Sequence, residues 1–183
     1  MIGAHNTLSA YKPIKWWARL FKFAYRCQNK TIEQLVAEGI TFFDIRVCWN
    51  DFEGLGAHGI AEFNVSPWNQ ISYICKNVEK PIIRLILEKG NELDKELFIL
   101  AASHAQRQFD NAKFIGGNYK PTWERLIQFP YDDIQDNIIQ KVGSMDTKHR
   151  WWGAIWPWLY AKIYNKQNLA NVDTEKYYLF DFL

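Results

Sequence analysis

Two histidines flank an acid and an arginine in the first third of this 183-residue chain. His5 and His58 stand on either side of Asp44 and Arg46, and a single residue separates the acid from the arginine. Such a set can transfer protons on a phosphate ester, because one imidazole can remove a proton while the other donates one. A guanidinium can meanwhile bind the anionic oxygens. These residue types therefore favour phosphodiesterase chemistry.

Strand-like segments must position these side chains. Residues 40–47 form a mostly apolar run that contains Asp44 and Arg46, and residues 81–88 form the clearest strand, which ends at Glu88. Further strands are predicted at 1–4, 54–58, 113–115 and 177–182, and residues 138–142 fit either a helix or a strand. Helices are predicted from residue 13 and over 31–39, 67–78, 93–109, 122–129 and 151–164. Because strands alternate with helices, we expect parallel βαβ units in one domain over 1–183.

Composition narrows the class of protein. A hydrophobic content of 48% and an aromatic content of 16% exclude a disordered chain, and a net charge of +2 argues against a general nucleic-acid binder. The three cysteines contain no CxxC pair, which indicates reduced structural thiols rather than a disulfide framework or a zinc site. We find no membrane-spanning run and no signal-peptide layout, so we expect a cytoplasmic product, with peripheral membrane association as an option.

Four short motifs resemble the catalytic X region of the phosphatidylinositol-specific phospholipase C superfamily. His5 followed by Asn-Thr resembles the first-histidine motif, and segment 42–46 resembles its bacterial form, in which an arginine occupies the space of a calcium ion. His58 followed by glycine resembles the second-histidine motif, and segment 178–182 resembles the closing strand, whose aspartate partners the first histidine. The order and spacing of the motifs carry the resemblance, which is strong over residues 1–90 and at the last strand. It implies an α/β fold of the TIM-type (β/α) barrel.

The resemblance also implies a role for each matched residue. His5 would be the general base, oriented by Asp181, and His58 would protonate the leaving oxygen. Arg46 would stabilise the charge on the non-bridging oxygens, and Asp44 would orient Arg46 or His58. In the family, a hydroxyl of the head group attacks phosphorus and expels diacylglycerol, which leaves a cyclic phosphodiester. The further substrate-binding candidates are Asn6, Glu88 and Lys89.

Calcium is the one cofactor that the resemblance raises. Asn6, Asp44 and Glu88 match positions of calcium ligands in eukaryotic members, and hard oxygen ligands suit that ion. Arg46 matches the fourth ligand position, where its charge would repel a divalent cation. We therefore favour catalysis without a metal, with Glu88 as a partner of Arg46 or of the substrate.

Basic and aromatic residues alternate along segment 12–26. The lysines and arginines are spaced three and four apart, so on a helix they would fall within an arc of about 80°. A basic amphipathic helix with tryptophan favours binding to an anionic membrane surface, and bacterial relatives carry a Pro-Ile-Lys helix with tryptophan at this rim. The alternative is a helix that packs its aromatic rings on the barrel and leaves its charges in water. The predicted membrane contacts are Lys15, Trp16, Trp17, Arg19 and Lys22.

Several structural interpretations remain open beside these. Asp44 and Arg46 can form an ion pair on one strand face, and Asp181 can be an ordinary surface acid. We expect His104 and His149 to be hydrogen-bonded structural groups. For the tryptophans at 151, 152, 156 and 158, core packing is preferred over a second lipid-facing patch.

Chain length bears on both fold and function. Barrels of this type need about 250 residues, whereas this chain has 183, so we expect a small, irregular or incomplete barrel. The leading hypothesis is a phospholipase C-like phosphodiesterase that acts on a lipid phosphodiester. The alternatives are a glycerophosphodiester-type hydrolase, which would want a metal held by acids, and a catalytically silent barrel used for binding or structure.

Overall fold

The computed structural model describes residues 1–50, 53–116, 138–141, 155–173 and 175–183. Within these ranges one sheet contains eight strands. The strands are β1 (Ile2–Ala4), β2 (Phe42–Asn50), β3 (Glu53–His58), β4 (Ala61–Phe63), β5 (Ile82–Lys89), β6 (Lys113–Gly116), β7 (Ile138–Lys141) and β8 (Tyr177–Phe180). The helices are α1 (Lys22–Tyr25), α2 (Ile32–Ala37), α3 (Pro67–Asn77), α4 (Glu92–Gln108) and α5 (Pro157–Ala170), with 3-10 turns at Thr7–Ala10 and Trp16–Arg19.

Six of the strands are parallel and lie in the order β6-β5-β2-β1-β8-β7. Strand β2 is the centre of the sheet, because it pairs with β5 along one edge and with β1 at the start of the other. On the side where the first residues of β2 pair with β1, its last residues, from Val47 to Asn50, pair with β3. Strand β3 in turn forms an antiparallel hairpin with β4. In the part of the chain that the structure describes, no pairing joins β6 to β7. The result is an α/β fold with a sheet of parallel strands, as the sequence predicts, and with one further strand, β4, that the sequence did not predict.

Burial explains why β2 and β5 form the middle of this sheet. Residues 82–88 are buried without alternation, which is typical of parallel strands covered on both faces. Side chains of both strands, including Ile45 and Leu85, join one large hydrophobic core with helices α2, α3 and α4. The buried polar residues of this sheet therefore lie in mostly apolar surroundings.

The helix boundaries that the sequence predicts from neighbouring capping residues are confirmed. Thr31 and Gln34 form the capping box at the start of α2, and Gly39 follows its end with a positive φ of 81°. Ser66 caps α3, which has Pro67 at its first position. The ambiguous segment 138–142 is strand over 138–141, whereas the helix predicted at 122–129 lies outside the described residues.

The continuous basic helix predicted from residue 13 is wrong. Pro13 forms a bridge with Phe63, and the backbone N–H of Ile14 donates to the carbonyl of Glu62, so this stretch is extended along β4. Beyond it the chain makes only the 3-10 turn at Trp16–Arg19 and the single turn of α1. The helical spacing of the charges therefore does not create one helical face, because the backbone at the start of this segment pairs with β4 instead of forming helical hydrogen bonds.

Core packing is also wrong for two of the four later tryptophans. Trp156 is 45% exposed and Trp158 is 52% exposed, and the ammonium of Lys162 lies 5.2 Å from the centre of the Trp158 ring. Trp151 and Trp152 lie outside the described residues. Among the helices that the structure describes, α5 included, none combines the length and apolarity that a bilayer crossing requires.

Close packing of β1 against β2 depends on Gly3. A methyl group at this position would lie 2.5 Å from a ring carbon of Phe42, a contact that real Cβ atoms do not make. Gly3 is paired in register with Phe42, so relief would require the two strands to move apart. This close approach fixes the strand from which His5 follows.

We predict that Gly3→Ala lowers the free energy of unfolding by roughly 1–3 kcal/mol, the usual cost of overpacking a core. Urea denaturation of the variant and the wild type measures this. In the background of Phe42→Ala, which removes the two ring carbons nearest to that methyl group, the same substitution should cost less. An equal cost in both backgrounds would contradict the close packing of Gly3 on Phe42.

Candidate active site

The predicted site residues meet at the carboxyl ends of the parallel strands and of β3. This end of a parallel α/β sheet is where side chains from several strands can converge on one ligand. His5 and Asn6 follow β1, and Asp44 and Arg46 lie in β2. His58 ends β3, Glu88 lies near the end of β5, and Asp181 follows β8. The converging side chains are His5, Asp44, Arg46, His58, Glu88 and Asp181.

Arg46 is at the centre of this group and is fully buried. Its Nε donates to Oδ2 of Asp44 at 3.0 Å, and Nη1 donates to Oε2 of Glu88 at 3.5 Å. Its Nη2 contacts Nε2 of His5. The guanidinium thus joins the ends of β1, β2 and β5, and the predicted pair of Asp44 and Arg46 is part of a larger network.

His5 lies between Arg46 and Asp181. Its Nδ1 is 2.7 Å from Oδ1 of Asp181, which is itself buried, so the interpretation of Asp181 as a surface acid is wrong. A carboxylate only accepts and a guanidinium only donates, so Nδ1 of His5 bears the proton and Nε2 accepts from Arg46. Asp181 therefore orients an imidazole whose basic nitrogen points at the guanidinium.

Asp44 is wholly buried yet charged. Burial disfavours the carboxylate, but the guanidinium groups of Arg46 and Arg84 outweigh it and hold the pKa of Asp44 well below its usual range. The backbone N–H of Asn6 adds a hydrogen bond to Oδ2 at 3.0 Å. Asp44 thereby stabilises both the charge of Arg46 and the loop that carries His5.

His58 stands at the mouth of the cluster and is half-buried. Its Nδ1 donates to the carbonyl of Tyr25, and its ring centre lies 6.2 Å from that of His5 in an edge-on arrangement. Burial and then the charge of Arg46 lower the pKa of His58 to about 4. The adjoining Gly59 has a positive φ of 56° and donates its N–H to Oε1 of Glu88 at 2.8 Å. Glu88 thus connects the turn after His58 with Arg46.

The remaining predicted substrate ligands differ in their surroundings. Both polar atoms of the buried Asn6 amide lack a hydrogen-bond partner among the residues that the structure describes. Lys89 instead binds Glu62, which also lies 3.7 Å from Lys15. The site therefore has an unused amide in Asn6, whereas the ammonium of Lys89 is paired.

The oxygen ligands suggested for calcium do not suit a cation in this arrangement. Arg46 binds both Asp44 and Glu88, so its positive charge already lies between the two carboxylates. A divalent ion placed there would meet the guanidinium as well as the acids. The residues present therefore do not fit calcium.

Sequence reasoning missed three groups of the site. Arg84 pairs in register with Asp44 and donates to Oδ1 at 3.4 Å. Gln28 donates from Nε2 to the carbonyls of His5 and Phe180, and Cys27 lies beside His58. A lone cation in the apolar run 81–88 was a signal for Arg84, whereas no sequence pattern marks the other two.

Of the other two histidines, His104 is exposed on α4 and His149 lies outside the described residues.

Comparisons with known proteins agree at the level of fold. No protein-family model and no curated protein matches the chain. Among solved structures, phosphatidylinositol-specific phospholipase C from Listeria monocytogenes superimposes with a TM-score of 0.65 at 17% identity, over 100% of this chain and 87% of that chain. The F249X mutant of the Staphylococcus aureus enzyme gives 0.61 at 11% identity, over 100% of this chain and 85% of that chain.

These likenesses show the fold alone, because the identities are low. A second Staphylococcus aureus structure, from work on modulation of its membrane binding, gives a TM-score of 0.50 at 13% identity. It matches 70% of this chain and 53% of that chain. The part of the chain that the structure describes therefore forms a small, incomplete α/β barrel similar in fold to bacterial phosphatidylinositol-specific phospholipases C.

The lowered pKa of His58 predicts a pH dependence of stability. As pH falls from about 6.5 towards about 4, the unfolded chain takes up a proton at this imidazole that the folded protein does not, so the folded state loses stability. His58→Asn should remove this loss, so that its unfolding free energy gains on that of the wild type across this range. Urea denaturation at a series of pH values measures the difference.

His104→Asn is the matched control, because it removes an exposed imidazole. It should follow the wild-type slope. A His58→Asn slope identical to that of the control would show that His58 titrates normally in the folded protein.

Proposed function

We propose that this protein is a phosphodiesterase that cleaves phosphatidylinositol or a related lipid phosphodiester by acid-base catalysis. The observation that carries the proposal is the arrangement of His5, bonded to Asp181 on one side and to Arg46 on the other, with the His58 ring 6.2 Å away. The fold similarity to phosphatidylinositol-specific phospholipases C supports the substrate class.

Arg46 would respond first to a bound phosphate. Its Nη2 now contacts the lone pair of His5 Nε2, the atom that must take a proton. A phosphate oxygen accepts more strongly from a guanidinium than a neutral imidazole does, because the hydrogen bond is then ionic on both sides. Substrate would therefore draw Arg46 onto its non-bridging oxygens and free His5 Nε2.

In the proposed reaction, a hydroxyl oxygen of the head group attacks phosphorus and its proton passes to His5 Nε2. A new O–P bond forms within the head group while the O–P bond to the diacylglycerol breaks. His58 gives a proton to the departing oxygen. The unused amide of Asn6 is placed to bind the head group or a phosphate oxygen.

His58 can act as this acid only if substrate raises its pKa. The described cluster contains the carboxylates of Asp44, Glu88 and Asp181 but two guanidinium groups, so it has one net negative charge. A phosphodiester adds a second negative charge and favours protonation of the imidazole. Since Nδ1 of His58 donates to Tyr25, the acquired proton would lie on Nε2.

Hydrolysis of phosphatidylinositol vesicles tests the proposal. His5→Ala and His58→Ala should each lower kcat by about 10²–10⁴-fold, while His104→Ala, an exposed histidine on α4, should match the wild type. Phosphorus NMR should detect a cyclic phosphodiester as the first product. Equal turnover by all four proteins would contradict the assigned roles.

The exposed aromatic and basic residues of segment 12–26 support action at a membrane surface. Trp16 is 71% exposed, and Phe21 and Phe23 are about half exposed, whereas Trp17 packs partly against the core. The same segment continues to Tyr25, whose carbonyl holds His58. Contact with an anionic surface would thus occur on the same segment that positions the proposed acid.

Charge reversal tests this membrane contact. The triple variant Lys15→Glu, Arg19→Glu and Lys22→Glu should bind anionic vesicles at least about 100-fold more weakly, since each basic residue near such a surface contributes about 1 kcal/mol. Vesicle sedimentation measures the partition coefficient. The control Lys76→Glu, Lys80→Glu and Arg107→Glu changes the net charge equally at exposed positions elsewhere. Equal partitioning of the two triple variants would exclude segment 12–26 as the contact.

One observation favours a second candidate, the catalytically silent barrel. Asp44 and Arg46 are fully buried and His5 nearly so, as structural groups would be. In that case the wild type would bind vesicles without hydrolysing them. The glycerophosphodiester-type alternative has no such support, because Arg46 occupies the acids that would hold its metal.

A further inference from the structure

Cys27 is a buried thiol inside the candidate site that the proposed reaction does not use. It is 1% exposed, and its Sγ lies 3.6 Å from Nδ1 of His58. Its backbone is held on both sides, because its N–H donates to Oγ of Ser9 at 2.9 Å and its carbonyl accepts from Phe182 at 2.7 Å. These two hydrogen bonds hold the thiol next to Asp181, the residue before Phe182.

Three potential metal ligands converge at this point. A ring nitrogen of His5, Sγ of Cys27 and a carboxylate oxygen of Asp181 all lie within 4.8 Å of one another, and all three residues are buried. Nδ1 is the ring nitrogen of His5 that faces Asp181. Within the ranges that the structure describes, no other group of three or more histidine, cysteine and acidic side chains has this geometry. We propose that His5, Cys27 and Asp181 form a binding site for a thiophilic divalent ion such as Zn²⁺, and that the bound ion blocks the proposed base.

The donor set selects the class of metal. A thiolate, an imidazole and a carboxylate are ligands that Zn²⁺ takes together, with water in the fourth position, whereas Ca²⁺ and Mg²⁺ prefer oxygen alone. Bonds of about 2.0–2.3 Å to a tetrahedral ion place neighbouring ligand atoms about 3.3–3.7 Å apart. The His5–Asp181 pair, now 2.7 Å apart, would open by less than about 1 Å. The sulfur of Cys27, now within 4.8 Å of the other two ligand atoms, would have to come to the same spacing.

Metal binding moves two protons. The thiol proton of Cys27 leaves for solvent, and the proton on Nδ1 of His5 shifts to Nε2, because the metal takes the Nδ1 lone pair. Nε2 then bears a hydrogen and cannot accept the proton of an attacking hydroxyl, and its contact with Arg46 is lost. This inhibitory effect, unlike the metal binding itself, rests on the proposed function.

The surroundings of Cys27 oppose the loss of its thiol proton. Burial, with the neighbouring charge of Asp181, raises the pKa of Cys27 well above its ordinary value, and Arg46 opposes this. The other ionisable groups that face the thiol are His58 and Asp44. A metal must therefore compete with the proton on sulfur.

Cobalt substitution of the purified full chain tests the site without any substrate. Titration with Co²⁺ should give one equivalent of binding and a thiolate-to-cobalt charge-transfer absorption, which Zn²⁺ should displace. Cys27→Ser should lose that absorption and weaken Zn²⁺ binding, measured by calorimetry, by at least about 100-fold. The control Cys75→Ser, which alters a buried thiol of α3, should bind as the wild type does.

The outcomes separate the two proposals. Absence of the sulfur-to-cobalt absorption in the wild type, or its persistence in Cys27→Ser, would overturn the metal site, and the wild-type spectrum decides even if that variant fails to fold. If the wild type hydrolyses phosphatidylinositol, one equivalent of Zn²⁺ should inhibit it but not Cys27→Ser. Hydrolysis that persists in the zinc-loaded protein would overturn the proposed inhibition while leaving the phosphodiesterase proposal intact. Cobalt binding by a wild type that, when free of metal, does not hydrolyse phosphatidylinositol would support the metal site and contradict the phosphodiesterase.

Discussion

The burial of Arg46 is the constraint on which the candidate site depends. Removing a guanidinium from water costs several kcal/mol unless charged partners and hydrogen bonds replace the lost hydration. Those partners are Asp44, Glu88 and His5, which come from β2, β5 and the end of β1. A slip of any of these strands would leave a charge buried without a partner, so the register of the sheet and the geometry of the site are fixed together.

The same network extends from the interior to the surface. Glu88, which binds Arg46, also accepts the N–H of Gly59 and so holds the turn after His58. The other side of His58 is held by Tyr25, at the end of the exposed aromatic segment 12–26. A phosphate that draws Arg46 outward would therefore act on both imidazoles, directly at His5 and through Glu88 at His58. This links substrate binding to the protonation of the proposed acid.

Local patterns made much of the fold predictable from the sequence. The unbroken apolar run of β5, the capping box at Thr31 and the i, i+2 spacing of Asp44 and Arg46 each depend on near neighbours in the chain. Segment 12–26 could not be predicted in this way. Its charges have helical spacing, but the backbone at its start pairs with β4, a strand some fifty residues later in the chain. Cys27 joins the site only through the tertiary fold, and no spacing in the sequence places it beside His5 and Asp181.

Nitrogen NMR of the imidazole of His5 tests most directly whether this histidine is clamped between Asp181 and Arg46. With ¹⁵N-labelled histidine near neutral pH, the ring of His5 should show a protonated Nδ1 and an unprotonated, hydrogen-bonded Nε2. Addition of inorganic phosphate should shift the Nε2 resonance as the guanidinium turns to the anion. A proton on Nε2 in the free protein, with Nδ1 unprotonated, would contradict the clamp and the catalytic role built on it.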